Sequence, residues 1–180
     1  MKSNEETPSP EESNPEQVEL TTSYRYYALG ILTLVYVFNF IDRQILVILQ
    51  ESIKVELDLS DTQLGLLSGI SFAIFYVTCG IPIARWADKG NRRNIVALAI
   101  GTWSFMTALS GAVQNFTHLL LARIGVGVGE AGGSPPAHSM ISDMFPERQR
   151  ATALSVYSMG INFGVLIGFV IGGYVNDWLG

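Results

Sequence analysis

Four charged residues lie inside long apolar segments of this 180-residue chain, where their side chains could bind protons or a charged solute. Asp42 and Arg43 interrupt one such segment, and Arg123 and Glu130 stand seven residues apart in another. In the middle of a bilayer an ionised side chain costs roughly 3 kcal/mol even on insertion scales, so it must face a partner or water. A carboxylate that has lost its water also exchanges protons closer to neutral pH. The pattern therefore predicts a substrate and proton site.

The spacing of these residues places them on two helix faces. Asn39, Asp42 and Arg43 follow each other at i, i+3 and i+4, and Arg123 and Glu130 are two helical turns apart. At a rise of 1.5 Å per residue, Asp42, Arg43 and Arg123 share a depth of roughly 10 Å from one membrane surface, while Glu130 lies near the middle. We expect the two faces to meet.

The sequence leaves two interpretations of this meeting open. In the first, Asp42 and Arg123 form an ion pair that only locks two helices together. In the second, the charges form a substrate and proton site. The polar residues on the two faces are Asn39, Asp42, Arg43, Arg123, Glu130 and Ser134.

The elements that carry these residues read as transmembrane helices. The chain is 48% hydrophobic and only 15% charged, against about 25% charged residues in an ordinary soluble domain. No segment alternates apolar and polar residues as a barrel strand would. The composition predicts an all-α membrane protein with five transmembrane helices, near residues 26–49, 63–84, 94–114, 117–138 and 151–175.

The first 24 residues differ sharply from the rest of the chain. They are rich in Pro, Ser, Asn and Glu, and Lys2 stands against six glutamates, a net charge of −5. Residues 1–24 are predicted to be a disordered acidic tail, because they cannot bury enough apolar surface to offset the entropy of ordering.

Basic residues predict the orientation of the chain in a cell membrane. Lys54 alone lies on one side of the predicted spans, so the positive-inside rule places the tail and the basic loops in the cytoplasm. A lipid bilayer is thus an expected partner, and nucleic acid is not. The basic residues on the cytoplasmic side are Arg25, Arg85, Lys89, Arg92, Arg93, Arg148 and Arg150.

The glycines predict helix packing. Gly127, Gly129 and Gly132 have the G-x-G-x-x-G spacing of a dinucleotide-binding turn, but no strand precedes them, which excludes that fold. Glycines four residues apart let another helix approach closely. Pro135 and Pro136 predict a kink near the cytoplasmic end of the fourth span. The glycines expected to pack helices are Gly125, Gly127, Gly129, Gly164, Gly168 and Gly172.

Enzyme and metal chemistry find little support. Ser134 and His138 lie near Glu130, but they share one helix and lack a G-x-S-G turn, whereas a nucleophile and its base normally come from separate elements. His118 lies about 30 Å from His138 along a helix, too far to share a metal ion. We expect no enzyme, cofactor or metal. A non-transporting receptor or scaffold remains an alternative.

Three motifs resemble the major facilitator superfamily of secondary transporters. The loop "ARWADKGNRRN" is similar to the signature between helices two and three, although Ala84 and Asn91 stand where glycines are usual. "RIGVGVGEA" is similar to a helix-four motif. "GVLIGFVIGG" resembles a helix-five antiporter motif, with Phe169 replacing its proline, so symport and antiport both stay open. The residues that match the loop signature are Asp88, Lys89, Arg92 and Arg93.

Within the superfamily, "FNFIDRQ" together with "GVGEA" resembles the Spinster-like branch, whose members move lysolipids and sphingoid phosphates. The resemblance implies proton-coupled alternating access between two six-helix halves, with the loop signature as a cytoplasmic gating cluster. It also implies roles for the polar residues of the two faces: Asp42, Arg123 and Glu130 would serve proton coupling, and Asn39, Arg43 and Ser134 would bind the substrate. A carrier of organic anions or sugars is the alternative. Residues 25–180 would be a partial N-terminal transmembrane domain, lacking helix six and the C-terminal half and inactive alone.

Overall fold

A computed structural model describes residues 21–179, and residues 1–20 of the predicted tail lie outside that range. Within residues 21–179 every regular element is helical, and none is a strand. In chain order they are α1 (Thr22–Ile48), α2 (Gln50–Glu56), α3 (Asp61–Gly65), a π-helical turn (Leu66–Ile70), α4 (Ser71–Lys89), α5 (Arg92–Ser110), α6 (Phe116–Ala131), α7 (Ser134–Met144) and α8 (Glu147–Leu179).

The predicted all-α membrane protein is confirmed, whereas the count of five spans stays a prediction. Three helical stretches are long and apolar enough to cross a bilayer: Thr22–Ile48, Asp61–Lys89 and Glu147–Trp178. The predicted span 94–114 corresponds to α5, and the predicted span 117–138 corresponds to α6 followed by α7. Large apolar side chains stay exposed along these helices, which suits a lipid environment.

The break in the fourth span lies earlier than its prolines predicted. The helix is interrupted at Gly132 and Gly133, and α7 starts at Ser134. Pro135 and Pro136 thus occupy the first turn of α7. Backbone N–H groups in a first turn have no partner within the helix, so proline loses no hydrogen bond there. The kink at the prolines is therefore corrected to a break at the two glycines, which precede them.

Glycines bring α8 against α1 and α6 against α5. A Cβ atom added at Gly164 would lie 2.6 Å from the Val37 carbonyl oxygen, and one at Gly129 would lie 2.7 Å from the Trp103 backbone nitrogen. Gly127 faces α4, where an added Cβ would lie 3.3 Å from the Phe72 carbonyl oxygen. The other predicted packing positions also meet a neighbouring helix, namely Gly125 at Met106, Gly168 at Gln44 and Gly172 at Ile48.

Two apolar clusters lie at opposite ends of the helices. One joins the N-terminal halves of α1 and α8 to α7 and includes Leu32, Ile141 and Tyr157. The other joins the loop after α2 to the start of α6 and includes Leu59 and Leu119. The charged stretches of α1 and α6 lie between these two clusters along the helices.

Candidate functional site

Arg43 of α1 and Glu130 of α6 form the centre of the charged region. Arg43 donates a hydrogen bond from Nε to Glu130 Oε2 over 2.6 Å, and its Nη2 forms an ion pair with the same oxygen. The Glu130 side chain has no exposed surface, whereas 31% of the Arg43 side chain is exposed. The carboxylate is thus buried inside the bundle, while the Arg43 side chain stays partly exposed.

Aromatic rings surround the Arg43 guanidinium. Its central carbon lies 4.7 Å from the Phe72 ring centroid, 5.2 Å from that of Phe40 and 5.4 Å from that of Tyr76. At these distances the ring faces attract the cation and replace part of its lost hydration. The sequence reasoning missed Phe72 and Tyr76. Their i, i+4 spacing on the second span was a weak signal, since lipid-facing aromatic residues show the same spacing.

Asp42 and Arg123 form a second, looser ion pair. Arg123 Nη1 lies 3.7 Å from Asp42 Oδ2, beyond hydrogen-bond distance, and the two side chains are 6% and 16% exposed respectively. The Phe72 ring also lies under Arg123, with 5.8 Å between the guanidinium carbon and the ring centroid. Phe72 therefore contacts both arginines. The expected meeting of the two helix faces occurs, but Arg43 is the partner of Glu130, which the sequence did not identify.

Several buried polar atoms of this region lack a hydrogen-bond partner among residues 21–179. They include one oxygen of each carboxylate, Asp42 Oδ2 and Glu130 Oε1, and Nε of Arg123. A buried polar atom without a partner costs about 1–3 kcal/mol. Unmet hydrogen bonds of this kind are common where a group must bind and release something else.

A narrow cleft beside Glu130 contains the other two predicted substrate residues, Asn39 and Ser134. Tyr36 and Tyr157 also line it, with their rings stacked and the centroids 4.4 Å apart. The free space measures about 10 Å³, close to the smallest volume that admits one water molecule. In this conformation the cleft can hold a water next to Glu130, but no larger solute.

The four residues of the loop signature separate into two groups. Arg92, at the start of α5, forms an ion pair with Asp143 near the end of α7. Asp88, Lys89 and Arg93 are exposed and make no ion pair within the described part of the chain. The structure thus joins Arg92 to α7 and leaves the acidic residue of the signature at the surface.

Comparisons with known proteins agree on one family. Residues 32–180 match the Major Facilitator Superfamily. The fold is similar to that of a bacterial homologue of the human lysosomal transporter Spinster, solved in an inward-facing, unoccupied conformation. The TM-score is 0.84 and the identity 46%, covering 87% of this chain and 33% of that one.

Two curated relatives illustrate the range of similarity. An MFS-type efflux pump of Mycolicibacterium smegmatis is 39% identical over 85% of this chain and 36% of its own length. The sphingosine-1-phosphate transporter SPNS2 of Danio rerio is 30% identical over 83% of this chain and 30% of its own. The chain thus spans about a third of the length of the relatives that it matches.

Proposed function

We propose that this chain, which belongs to the major facilitator superfamily and to its Spinster-like branch, forms the N-terminal part of a secondary active transporter. Family and fold mark a transporter protein and not an enzyme. Because the relatives are about three times as long, a sixth helix and a C-terminal half complete the pathway in this proposal. Residues 1–180 alone do not transport, since alternating access needs two halves that move against each other.

The hydrogen-bonded pair between Arg43 and Glu130 is the observation that carries the proposal. Protonation of Glu130 would remove the charge that holds the guanidinium, and the partly exposed Arg43 side chain would then be available to an anionic group. Loss of the proton from Glu130 would restore its ion pair with Arg43 and release the anionic group. Proton binding and solute binding are coupled in this way, because each changes the free energy of the other.

The surroundings of Arg43 support an amphiphilic anion as the solute. A cation within aromatic rings can bind a phosphate or carboxylate while the rings contact an adjacent apolar chain. A lysolipid or a sphingoid phosphate has both parts, and a relative in Danio rerio transports sphingosine-1-phosphate. A small organic anion is the second candidate, because the partly exposed Arg43 side chain alone would suffice to bind its carboxylate. A sugar is a further alternative solute for the same site.

The proposed location is the cell membrane, with several spans and the N-terminus in the cytoplasm. The distribution of basic residues supports this orientation. In it, the loop with Asp88, Lys89, Arg92 and Arg93 faces the cytoplasm and gates that side of the pathway.

Replacement of Glu130 by glutamine tests the proposal, because it removes the titrating group and keeps its size. In proteoliposomes that contain the whole transporter, flux of a single-chain lysophospholipid driven by a pH gradient should fall in Glu130→Gln to that of empty liposomes. Glu147→Gln is the matched control, since Glu147 is exposed at the start of α8, and it should keep wild-type flux. Undiminished gradient-driven flux in Glu130→Gln would exclude Glu130 from coupling.

The same proteoliposomes distinguish the two solute classes. A radiolabelled hexonate, a small sugar acid without an apolar chain, is supplied in parallel with the lysophospholipid. Transport of the hexonate but not of the lysophospholipid would replace the amphiphile by the organic-anion alternative. If the wild-type protein moves neither probe, this assignment of the solute is wrong.

A further inference from the structure

A groove between α1 and α5 reaches Asp42 from the side that Glu130 does not occupy. It measures about 480 Å³, and its walls are mostly apolar, with Phe38 and Ile41 of α1 facing Ile100 of α5. Asp42, Ser104 and Thr107 are the polar residues among those that line it. Asp42 thus lies between two environments, the ion-pair region that contains Arg123 and this flanking groove.

Two buried polar atoms in this groove lack partners within residues 21–179, namely Asp42 Oδ2 and Thr107 Oγ1. Serine and threonine hydroxyls in helices commonly donate back to the carbonyl four residues earlier. On α5, Thr102 does so to Leu98 over 2.9 Å, and Ser110 does so to Met106 over 3.0 Å. Thr107 makes no such bond, and its side chain lines the same groove as the Asp42 carboxyl group, without a hydrogen bond between the two in this conformation.

One hydrogen bond between these groups would satisfy both atoms. Leaving each unpaired costs about 1–3 kcal/mol, and a hydroxyl that donates to a carboxylate makes one of the stronger neutral–charged bonds. Arg123 does not supply this bond, because its Nη1 lies 3.7 Å from Asp42 Oδ2. The other charged groups near Asp42 are Arg43 of α1 and Glu130 of α6, which bond to each other.

We infer that Thr107 is a positioning residue for Asp42: after a small rotation of its side chain, the hydroxyl donates a hydrogen bond that holds the Asp42 carboxylate towards the groove. Held there, Asp42 stays out of hydrogen-bond distance of Arg123 and can take up a proton without first breaking a bidentate ion pair. The role in proton coupling rests on the proposed function. The hydrogen bond itself does not, so the two can be tested separately.

Infrared difference spectra between acidic and neutral pH test the hydrogen bond directly. The protein is reconstituted in liposomes, and the carboxyl C=O band of Asp42 is identified as the one that Asp42→Asn removes. In Thr107→Val, which keeps the shape but lacks the hydroxyl, this band should move to higher frequency, because a carbonyl oxygen that loses a hydrogen bond vibrates faster. Thr107→Ser keeps the hydroxyl and should leave the band in place.

Thr102→Val is the matched control, since it makes the same substitution on the same helix at a hydroxyl bonded to its own backbone. It should not move the Asp42 band. Thr107→Ala lacks the hydroxyl too and should shift the band as Thr107→Val does, which guards against poor folding of the valine variant. An Asp42 band that stays unchanged in the properly folded Thr107 variants without the hydroxyl overturns the inference.

Transport measurements then test the consequence for coupling. Thr107→Val should lose gradient-driven flux of the lysophospholipid while retaining its exchange across the membrane without a gradient, and Thr107→Ser should retain both. Equal loss of driven flux and exchange would assign Thr107 a merely structural role and overturn its part in coupling. If the wild type transports no probe, the proposed function fails, whereas the infrared result still decides on the hydrogen bond.

Discussion

At the scale of residues, the two ion pairs of the site differ in how firmly they are held. Glu130 is fully enclosed and accepts a hydrogen bond from Arg43, which lies among three aromatic rings. Asp42 faces Arg123 at 3.7 Å without a hydrogen bond. Removing one partner of a buried pair leaves an uncompensated charge, and that penalty is larger than the net value of the pair.

The first prediction follows from this asymmetry. Arg43→Gln should lower the free energy of unfolding by about 3 kcal/mol, because Glu130 then remains buried without its hydrogen-bonded cation. The double variant Arg43→Gln with Glu130→Gln should recover a large part of the loss, since neither member of the pair is then charged. Unfolding of the purified protein in detergent, followed by circular dichroism, measures both.

The exposed pair between Lys54 and Asp61 provides the control for that prediction. Asp61 is 88% exposed, and the hydrogen bond that Lys54 donates to it raises the pKa of Lys54 above its ordinary value. Lys54→Gln should leave the stability nearly unchanged, because water solvates Asp61 when its partner is lost. Equal destabilisation by Lys54→Gln and Arg43→Gln would contradict the special role of burial.

At the scale of elements, the repeated glycines determine how closely α8 packs on α1. Gly164 and Gly168 face Val37 and Gln44 so closely that an added Cβ would lie within 2.7 Å of a neighbouring atom. Real Cβ contacts are not that short, so the helix axes would have to separate. Since α1 contains Asp42 and Arg43, its separation from α8 would also disturb the site.

The second prediction compares two glycines of α8. Gly164→Ala should lower the free energy of unfolding by about 1–3 kcal/mol, because overpacking of a close contact costs that much and the Val37 carbonyl cannot rotate away. Gly173→Ala is its control, since an added Cβ there meets nothing within 4 Å. Thermal unfolding of the two variants checks the prediction, and similar midpoints for both would refute it.

At the scale of the whole molecule, the proposed mechanism needs a second half that the described residues do not contain. Arg92 joins α5 to α7 through Asp143, whereas Asp88 is exposed and has no ion-pair partner within residues 21–179. An exposed carboxylate beside basic residues, on the side that we propose to be cytoplasmic, is suited to meet a second half there. Such a contact would hold the cytoplasmic side closed and so favour the outward-open state.

The third prediction concerns this contact. Asp88→Asn should weaken the outward-open state, because the amide loses the charge that attracts the second half. A single-cysteine reporter, Asn39→Cys in a Cys79→Ser background, should then be labelled more slowly from outside. The control is Asp58→Asn, made at an exposed position with φ of 50° that Asn also tolerates.

Unchanged labelling in Asp88→Asn would exclude the loop from stabilising the outward-open state and leave it only a role in setting the orientation of the chain. The same reagent tests the orientation itself, because Lys54→Cys should react from outside and Arg148→Cys should be protected. The opposite pattern would reverse the proposed orientation.

Much of this architecture could be predicted because it depends on local patterns. The apolar segments predicted an all-helical membrane protein, and the motifs around Asp88 and Arg123 predicted the family; both are confirmed. The position of the helix break was wrong by two to three residues. Proline is tolerated in the first turn of a helix, so a proline can follow a helix break by a few residues instead of standing at the break itself.

The sequence by itself determined that Asp42, Arg43, Arg123 and Glu130 lie on helices inside apolar surroundings, because helical spacing and hydropathy are properties of neighbouring residues. Only the tertiary structure decided that Glu130 bonds to Arg43, that Phe72 contacts both arginines and that Thr107 lies beside Asp42. These partners lie on different helices, and which side chains meet depends on how helices are rotated and spaced by close packing at glycines.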